Sequence, residues 1–167
     1  MSLTIRPITK EDAPRVALFA DNKKIWDNVR DYFPHPYLLP DAIDFIEMVN
    51  DHKTNKIFAI ANEDGLIGVI GLHPFTDIYR YTAEIGYWTG EPFWGMGYAT
   101  QAVRWIVEYT WRATQIVRIE AGVFPFNIAS MRVLEKCGFH KEGIKRNYLY
   151  KNDKICDEHT YVLLRPD

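Results

Sequence analysis

The sequence has few of the residues that mark a disulfide-bonded or metal-binding protein. Its 167 residues include only two cysteines, Cys137 and Cys156, which stand far apart and lack the spacing of a redox or metal site. The five histidines show no ligand spacing either, so we expect no metal. Free cysteines at this frequency suit a reducing compartment, and we expect a cytoplasmic protein.

Long apolar runs and a strong excess of one charge are also missing. No run reaches the roughly 20 apolar residues that a membrane helix needs, and Lys10, Glu11 and Asp12 interrupt any signal-peptide core. The net charge of −2 gives no general attraction to nucleic acid or to a membrane surface. We therefore expect no nucleic-acid or membrane partner, and one globular domain over residues 1–167 that is a monomer or a homodimer.

Strand-like and helix-like segments follow one another along the whole chain. Strands are predicted at 3–8, 57–62, 66–72, 80–88 and 116–123, with a closing hairpin over 139–150 and 155–164. Helices are predicted at 11–22, 23–32, 41–52, 98–113 and 128–137. This order predicts an α/β protein of the α+β type, whose mixed, mostly antiparallel sheet contains one parallel pair around the helix at 98–113.

A glycine-rich turn, residues 92–100 (PFWGMGYAT), lies between a predicted strand and the longest predicted helix. Gly95 and Gly97 allow positive φ and close approach of the backbone to a ligand. The first helical turn leaves N–H groups unpaired and carries partial positive charge, which suits a diphosphate. An ordinary tight turn would use the same glycines, so the glycines alone leave both interpretations open.

Three phosphate-binding interpretations compete for this turn. A P-loop is excluded because the residues after Gly97 are Tyr98, Ala99 and Thr100 rather than Lys and Ser or Thr. A dinucleotide fingerprint requires Gly or Ala where Thr100 stands, although Glu120 lies about where that fold places its ribose-binding acid. The third interpretation is a loop that binds the pyrophosphate of an acyl-coenzyme A.

A second motif, residues 123–139 (VFPFNIASMRVLEKCGF), offers Asn127 as a helix N-cap and Gly138 as the residue that ends the helix. Together the two motifs strongly resemble the GNAT superfamily of acetyl-CoA-dependent N-acetyltransferases, and more closely its ribosomal-protein N-acetyltransferase branch. Residues 83–88 (AEIGYW) and 28–37 (NVRDYFPHPY) are similar to that branch as well. One departure is Pro92, which stands where the superfamily usually has Gln or Arg and which donates no N–H.

The resemblance implies acetyl-CoA as the co-substrate and a sheet whose central parallel strands splay apart to admit its pantetheine arm. Cofactor contacts are implied for Ile85, Gly86, Tyr87, Trp94, Gly95, Met96, Gly97, Tyr98, Ala99, Thr100, Asn127 and Ser130. Contacts with the acceptor are implied for an aromatic-rich region, namely Trp26, Tyr32, Phe33 and Tyr37.

Three residues are candidates for acid–base chemistry. By the resemblance, Ser130 lies near the thioester sulfur, where its hydroxyl could donate a hydrogen bond to the leaving thiolate. Tyr148 is the rival, because a phenol with a pKa near 10 suits a thiolate better. Glu84 shares a strand face with Gly86 and could accept the proton of the attacking amine. Each also has a plainer interpretation: local hydrogen bonding, surface exposure, or a salt bridge.

The acceptor is expected to be an amine, on a small molecule or at a peptide N-terminus. At pH 7 an α-amine with a pKa of about 7.7–8.0 is roughly a tenth neutral, whereas a lysine amine near 10.4 is neutral at well under about a thousandth. An α-amine is therefore favoured, and polyamines and amino sugars stay open. Two other functions are alternatives: a nicotinamide-dependent oxidoreductase, disfavoured because the turn follows four strands, and a non-catalytic acyl-CoA sensor.

Overall fold

The computed structural model describes residues 2–52 and 56–167. Its helices are α1 (Ala13–Ala20), α2 (Lys23–Trp26), α3 (Leu39–Asp51), α4 (Tyr98–Ala113) and α5 (Ile128–Lys136). Its strands are β1 (Thr4–Pro7), β2 (Lys56–Asn62), β3 (Gly65–Pro74), β4 (Thr82–Thr89), β5 (Arg118–Val123), β6 (His140–Lys151) and β7 (Lys154–Leu164). Short 3₁₀ turns lie at Lys10–Asp12, Asp77–Tyr79 and Glu91–Phe93.

The seven strands form one sheet in the order β1-β2-β3-β4-β5-β7-β6. Every neighbouring pair is antiparallel except β4 and β5, which are parallel. The parallel pairing runs only from Thr82 opposite Arg118 to Glu84 opposite Glu120, although both strands continue beyond these residues. The predicted mixed sheet is confirmed, and its two central strands diverge after Glu84.

Helices cover both faces of the sheet. On one face α4 and α5 pack over a core that includes Ile70, Ile106 and Leu134. On the other face α1 and α3 pack over a core that includes Val16 and Ile46. Burial of such side chains stabilises the fold by about 1.5–3 kcal/mol each. The two cores therefore fix the positions of β4 and β5, the strands that diverge after Glu84.

The long helix α4 forms where its sequence pattern predicts it. Its buried residues lie at positions i, i+4, i+5, i+8 and i+12, which gives one buried face (Tyr98, Ala102, Val103, Ile106 and Thr110). The helix begins directly after Gly97, whose φ of 81° lies in the left-handed region. Gly97 therefore provides the reversal that turns the chain from the glycine turn into the helix.

The predicted helix over residues 23–32 is wrong beyond Trp26, where α2 ends. Long-range contacts account for the difference, because the side chains that would continue the helix bond elsewhere. Arg30 pairs with Glu84 on β4, and Asp31 pairs with Lys151 on β6. Tertiary ion pairs thus override local helix propensity in this segment.

The closing hairpin is confirmed, with an irregularity that the sequence pattern did not predict. Asn152 and Asp153 form its turn with φ of 51° and 58°, as a two-residue turn of this kind requires. The register of β6 against β7 shifts between Lys145 and Leu149, and Asn147 there has a φ of 50°. This bulge changes the direction in which the side chains around Asn147 point.

Candidate active site

The gap between β4 and β5 opens into a cleft of about 690 Å³ that passes through the sheet. On the α4–α5 side it is lined by Tyr87 and Ser130, and on the α1–α3 side by Phe33, Tyr37 and Trp88. The cleft exists because pairing between the parallel strands stops at Glu84. Beyond that residue the edge of β4 that faces β5 has backbone groups without a strand partner, and such groups require a partner of another kind.

Residues 94–100 of the glycine-rich turn lead from the end of β4 into α4 and lie beside this cleft. This segment is called the glycine turn below. Gly95 and Gly97 have φ of 75° and 81°, and no heavy atom lies within 4 Å of the position that a Cβ would occupy at either residue. The indole N–H of Trp94 donates to the carbonyl of Thr89 at 2.7 Å, which ties the turn to the end of the strand. The turn therefore offers an open, backbone-lined surface at a helix N-terminus, as an anionic phosphate requires.

The first turn of α5 brings two hydroxyl groups together inside the cleft. Asn127 caps the helix, since its side-chain oxygen accepts the N–H of Ser130 at 3.2 Å. The hydroxyl oxygens of Ser130 and Tyr87 lie 2.9 Å apart. Burial raises the pKa of Tyr87, and the hydrogen bond with Ser130 offsets this only in part. Both hydroxyls are therefore neutral, and at this distance one can donate a hydrogen bond to the other.

The family resemblance implies cofactor contacts for both residues but does not indicate that their hydroxyls are partners. Strand alternation gave a usable signal, because it puts Tyr87 on the same face as Ile85, toward the helix that carries Ser130. The end of that helix is also as predicted. Gly138 has a φ of 88°, and Phe139 N–H donates to the carbonyl of Leu134 at 3.1 Å, which closes α5.

Glu84 lines the cleft but is held in an ion pair. Both of its oxygens accept from one guanidinium nitrogen of Arg30, at 2.7 and 2.8 Å. Protonating Glu84 would therefore break an existing contact. Arg30 also lines the cleft, and nothing in the sequence pattern points to it, because it lies 54 positions from its partner.

Tyr148 and Trp26 lie outside the set of described residues that line the cleft. Tyr148 is 59% exposed, and its ring lies 4.6 Å from the ammonium group of Lys145. The ring of Trp26 stacks against the ammonium group of Lys151 at 3.5 Å. The arrangement lends these two predicted roles no support, and both stay predictions.

The other three aromatic candidates line the cleft on the α3 side. Tyr32 is exposed, and the ring of Phe33 lies 4.9 Å from Tyr37 and 6.0 Å from Trp88. Tyr37 is buried; this burial, with the nearby charge of Asp41, raises the pKa of its phenol. These rings form an apolar wall that a side chain or an alkyl chain can contact.

The cleft is also lined by polar residues that the sequence patterns do not predict as site residues. His73 lies on β3 and Glu158 on β7, and both line the cleft. The carboxylate of Glu158 accepts from the ammonium group of Lys145 at 2.9 Å. Burial lowers the pKa of His73; the charge of Glu84 opposes this and that of Arg30 adds to it.

The described residues lack a metal-binding cluster and a membrane-spanning helix. Residues 2–52 and 56–167 contain no group of three or more His, Cys, Asp or Glu side chains placed to hold a metal ion. In the same part of the chain, no helix is both long and apolar enough to cross a membrane.

Comparison with known proteins finds acetyltransferases by family model and by sequence identity. A family model described as an acetyltransferase (GNAT) domain matches residues 2–140. The uncharacterized N-acetyltransferase YoaA of Bacillus subtilis is 33% identical over 171 residues, covering 98% of this chain and 94% of that protein. The probable N-acetyltransferase YjcK of Bacillus subtilis is 44% identical over 107 residues, which span 64% of this chain and 59% of that protein's length.

Two further proteins to which this chain is similar are ribosomal-protein acetyltransferases. The Escherichia coli [ribosomal protein uS5]-alanine N-acetyltransferase is 29% identical over 178 residues, covering 99% of this chain and 89% of that protein. A solved structure of RimL, a ribosomal L7/L12 alpha-N-protein acetyltransferase in complex with coenzyme A, superimposes with a TM-score of 0.86 at 21% identity and covers 98% of this chain and 94% of that chain. That likeness shows the shared fold.

These matches do not favour an oxidoreductase or a non-catalytic sensor. The acyl-coenzyme A interpretation of the glycine turn is the one consistent with the family model, the relatives and the divergent parallel strands. The chain belongs to the GNAT acetyltransferase family and is an acetyl-CoA-dependent N-acetyltransferase.

Proposed function

We propose that this enzyme transfers the acetyl group of acetyl-CoA directly to the α-amine of a peptide or protein N-terminus. The observation that carries the proposal is the cleft through the sheet, which joins a hydroxyl pair on one face to an aromatic, carboxylate-bearing chamber on the other. The resemblance to an enzyme that acetylates the alanine of ribosomal protein uS5 supports this class of acceptor.

The cofactor side of the cleft fits coenzyme A on three grounds. The glycine turn leaves open space above Gly95 and Gly97, where a side chain would otherwise stand. The free edge of β4 from Ile85 onward can bond an extended amide-bearing chain in the manner of a strand. Gly86, within that edge, also has no heavy atom within 4 Å of a Cβ position. Bound there, acetyl-CoA supplies an activated thioester.

Ser130 and Tyr87 would serve the leaving thiolate. As the carbon–sulfur bond breaks, negative charge develops on the sulfur and a nearby donor stabilises it. Ser130 passes its hydroxyl hydrogen to the sulfur as its oxygen takes the hydrogen of the Tyr87 hydroxyl, 2.9 Å away, and solvent supplies the replacement proton to Tyr87. Transfer is direct in this proposal, and Cys137 and Cys156 both lie outside the lining of the cleft, where neither can form an acyl-enzyme.

The acceptor chamber suits an amine that carries an apolar group. Its lining includes the carboxylates of Asp41, Asp44, Glu84 and Glu158 and a single guanidinium, that of Arg30. This excess of negative groups attracts a protonated amine from solution. The rings of Phe33 and Tyr37 provide apolar contact for the residue that bears the amine.

A panel of acceptors tests the proposal. The purified enzyme is incubated with acetyl-CoA and, separately, with an Ala-initiated hexapeptide containing an internal lysine, the same peptide with a blocked N-terminus, spermidine or kanamycin. Thiol release gives the rate, and mass spectrometry locates the acetyl group. We expect acetylation at the α-amine of the free peptide and none of the blocked peptide. Faster transfer to spermidine or kanamycin than to the peptide would overturn the proposed acceptor.

A further inference from the structure

The floor of the cleft on the α1–α3 side of the sheet is a row of glycines. Gly71 on β3 and Gly86 on β4 are cross-strand partners. Gly122 on β5 lies two positions beyond Glu120, which is the last β5 residue paired with β4. A row without side chains therefore crosses three strands at the point where the sheet divides.

Two polar side chains lean over the outer glycines and leave the middle one open. A Cβ built on Gly71 would lie 2.7 Å from Nε2 of His73, and one built on Gly122 would lie 2.5 Å from the carboxyl group of Glu158. Above Gly86 no heavy atom lies within 4 Å. The imidazole of His73 thus extends along β3 from its own position toward the empty space above the row.

Among the described residues, most charged groups that line this space are hydrogen-bonded or ion-paired, whereas His73 is not. Glu84 is paired with Arg30, and Glu158 with Lys145. From α3, Asp41 accepts the N–H of Leu38 at 2.7 Å, and Asp44 lies at the exposed side of that helix. Within residues 2–52 and 56–167, the imidazole of His73 makes no hydrogen bond and no ion pair.

We infer that His73 accepts the proton of the attacking amine in the space above Gly86. This inference rests on the proposed transfer to an amine and adds to it the residue that removes the proton. The nitrogen–carbon bond forms while the carbon–sulfur bond breaks; the nitrogen loses a proton to Nε2 of His73, directly or through one water, and the thiolate gains a proton through the hydroxyl pair of Ser130 and Tyr87. The imidazolium then releases its proton to solvent, and solvent supplies the proton that the hydroxyl pair has passed on.

The electrostatic setting of His73 agrees with that role. Burial lowers the pKa of His73, so its imidazole is neutral, with a lone pair available, at the pH where an α-amine begins to deprotonate. The nearby charges of Glu84 and Arg30 act in opposite directions on this pKa. In this inference Glu84 is the ion-pair partner of Arg30. The competing hypothesis is that Glu84 itself accepts the proton of the amine.

Substitution of His73 tests the inference through the pH profile. Wild-type enzyme and the variants His73→Gln and Glu84→Gln are compared on the Ala-initiated hexapeptide, with kcat/KM followed from about pH 5 to pH 9. For His73→Gln we expect kcat at neutral pH to fall about 10²-fold with little change in acetyl-CoA affinity, and the deficit in kcat/KM relative to wild type to shrink as the pH rises and the α-amine deprotonates by itself. His140→Gln, an exposed histidine outside the cleft, serves as the matched control and should behave as wild type.

Chemical rescue separates a proton acceptor from a packing residue. His73→Gly should regain rate when imidazole is added, because a free base can enter the space that the side chain vacates. A wild-type rate in His73→Gln, a deficit that stays constant with pH, or a pH-dependent deficit found in Glu84→Gln alone would overturn the inference. If the wild type acetylates spermidine and not the peptide, the proposed acceptor fails, and the same variants measured on spermidine still decide the role of His73.

Discussion

The two ends of the cleft are built in different ways. The cofactor end, residues 94–100, is made by the backbone: two glycines with positive φ and a helix N-terminus. The acceptor end is made by side chains that come from distant parts of the chain, such as Arg30 with Glu84 and Asp31 with Lys151. A backbone site tolerates change in neighbouring side chains but not the addition of a Cβ, whereas a side-chain site can be altered one contact at a time.

The largest effect should come from filling the backbone site. Gly97→Val places a branched side chain where φ is 81° and where the diphosphate is expected, and a β-branched residue at such a φ is strained. We expect coenzyme A affinity, measured by calorimetry, to fall by at least about 10²-fold, or roughly 2.7 kcal/mol.

The control for this variant is Gly143→Val. Gly143 lies on β6, has open space around its Cβ position and has no left-handed φ, so its variant should bind coenzyme A as the wild type does. Unchanged affinity in a folded Gly97→Val protein would show that the diphosphate binds elsewhere.

The second largest effect is expected at Ser130 and Tyr87, the hydroxyl pair that lies between the cofactor end and the acceptor end of the cleft. Ser130→Ala removes the donor to the leaving thiolate and should lower kcat by about 10–10²-fold without weakening acetyl-CoA binding, because the hydrogen bond strengthens only in the transition state. Tyr87→Phe should cost less, since water can replace the second hydroxyl. Single-turnover acetyl transfer measures both variants, and wild-type rates in each would mean that water alone protonates the thiolate.

The two ends of the cleft also differ in how far the sequence predicts them, because one depends on neighbouring residues and the other on contacts between distant ones. The glycine turn, the N-cap Asn127 and the helix-ending Gly138 depend on neighbouring residues, and each lies in the structure where local rules predict it. The contacts of Arg30 with Glu84 cross 54 positions and depend on the sheet being assembled first. For that reason the predicted second helix is too long, and the sequence pattern allows a salt bridge at Glu84 without identifying Arg30 as the partner.

His73 and Tyr148 show the same limit at single positions. The place of His73 in the cleft follows from the register of β3 against β4, where it lies opposite Glu84, and a sequence pattern does not give that register. Tyr148 lies beside the bulge at Asn147, which breaks the alternation used to judge where its side chain points.

The third effect tests the side-chain end through stability. The side chain of Lys151 is 3% exposed and pairs with Asp31, which is 63% exposed. Asp31→Asn leaves a buried ammonium group without its carboxylate and should lower the free energy of unfolding by about 1–3 kcal/mol. Lys151→Met keeps the apolar stem beside Trp26 and should cost less. Urea unfolding measures both, and an equal loss for the two variants would contradict this account of the pair.

The smallest effect is expected for Tyr148→Phe. Its phenol is exposed and lies outside the residues that line the cleft, so kcat and the KM for acetyl-CoA should stay within about twofold of wild type. A large fall in kcat with unchanged acetyl-CoA affinity would return Tyr148 to the role of general acid. It would also mean that the β6–β7 hairpin moves toward the cleft when substrates bind.

The most direct test of the central claim is a crystal structure of the enzyme with coenzyme A. The account predicts that the diphosphate lies on backbone N–H groups of residues 94–100, and that the thiol enters the gap between β4 and β5 within hydrogen-bonding distance of Ser130. A diphosphate held by side chains away from Gly95 and Gly97, or a thiol outside that gap, would contradict it.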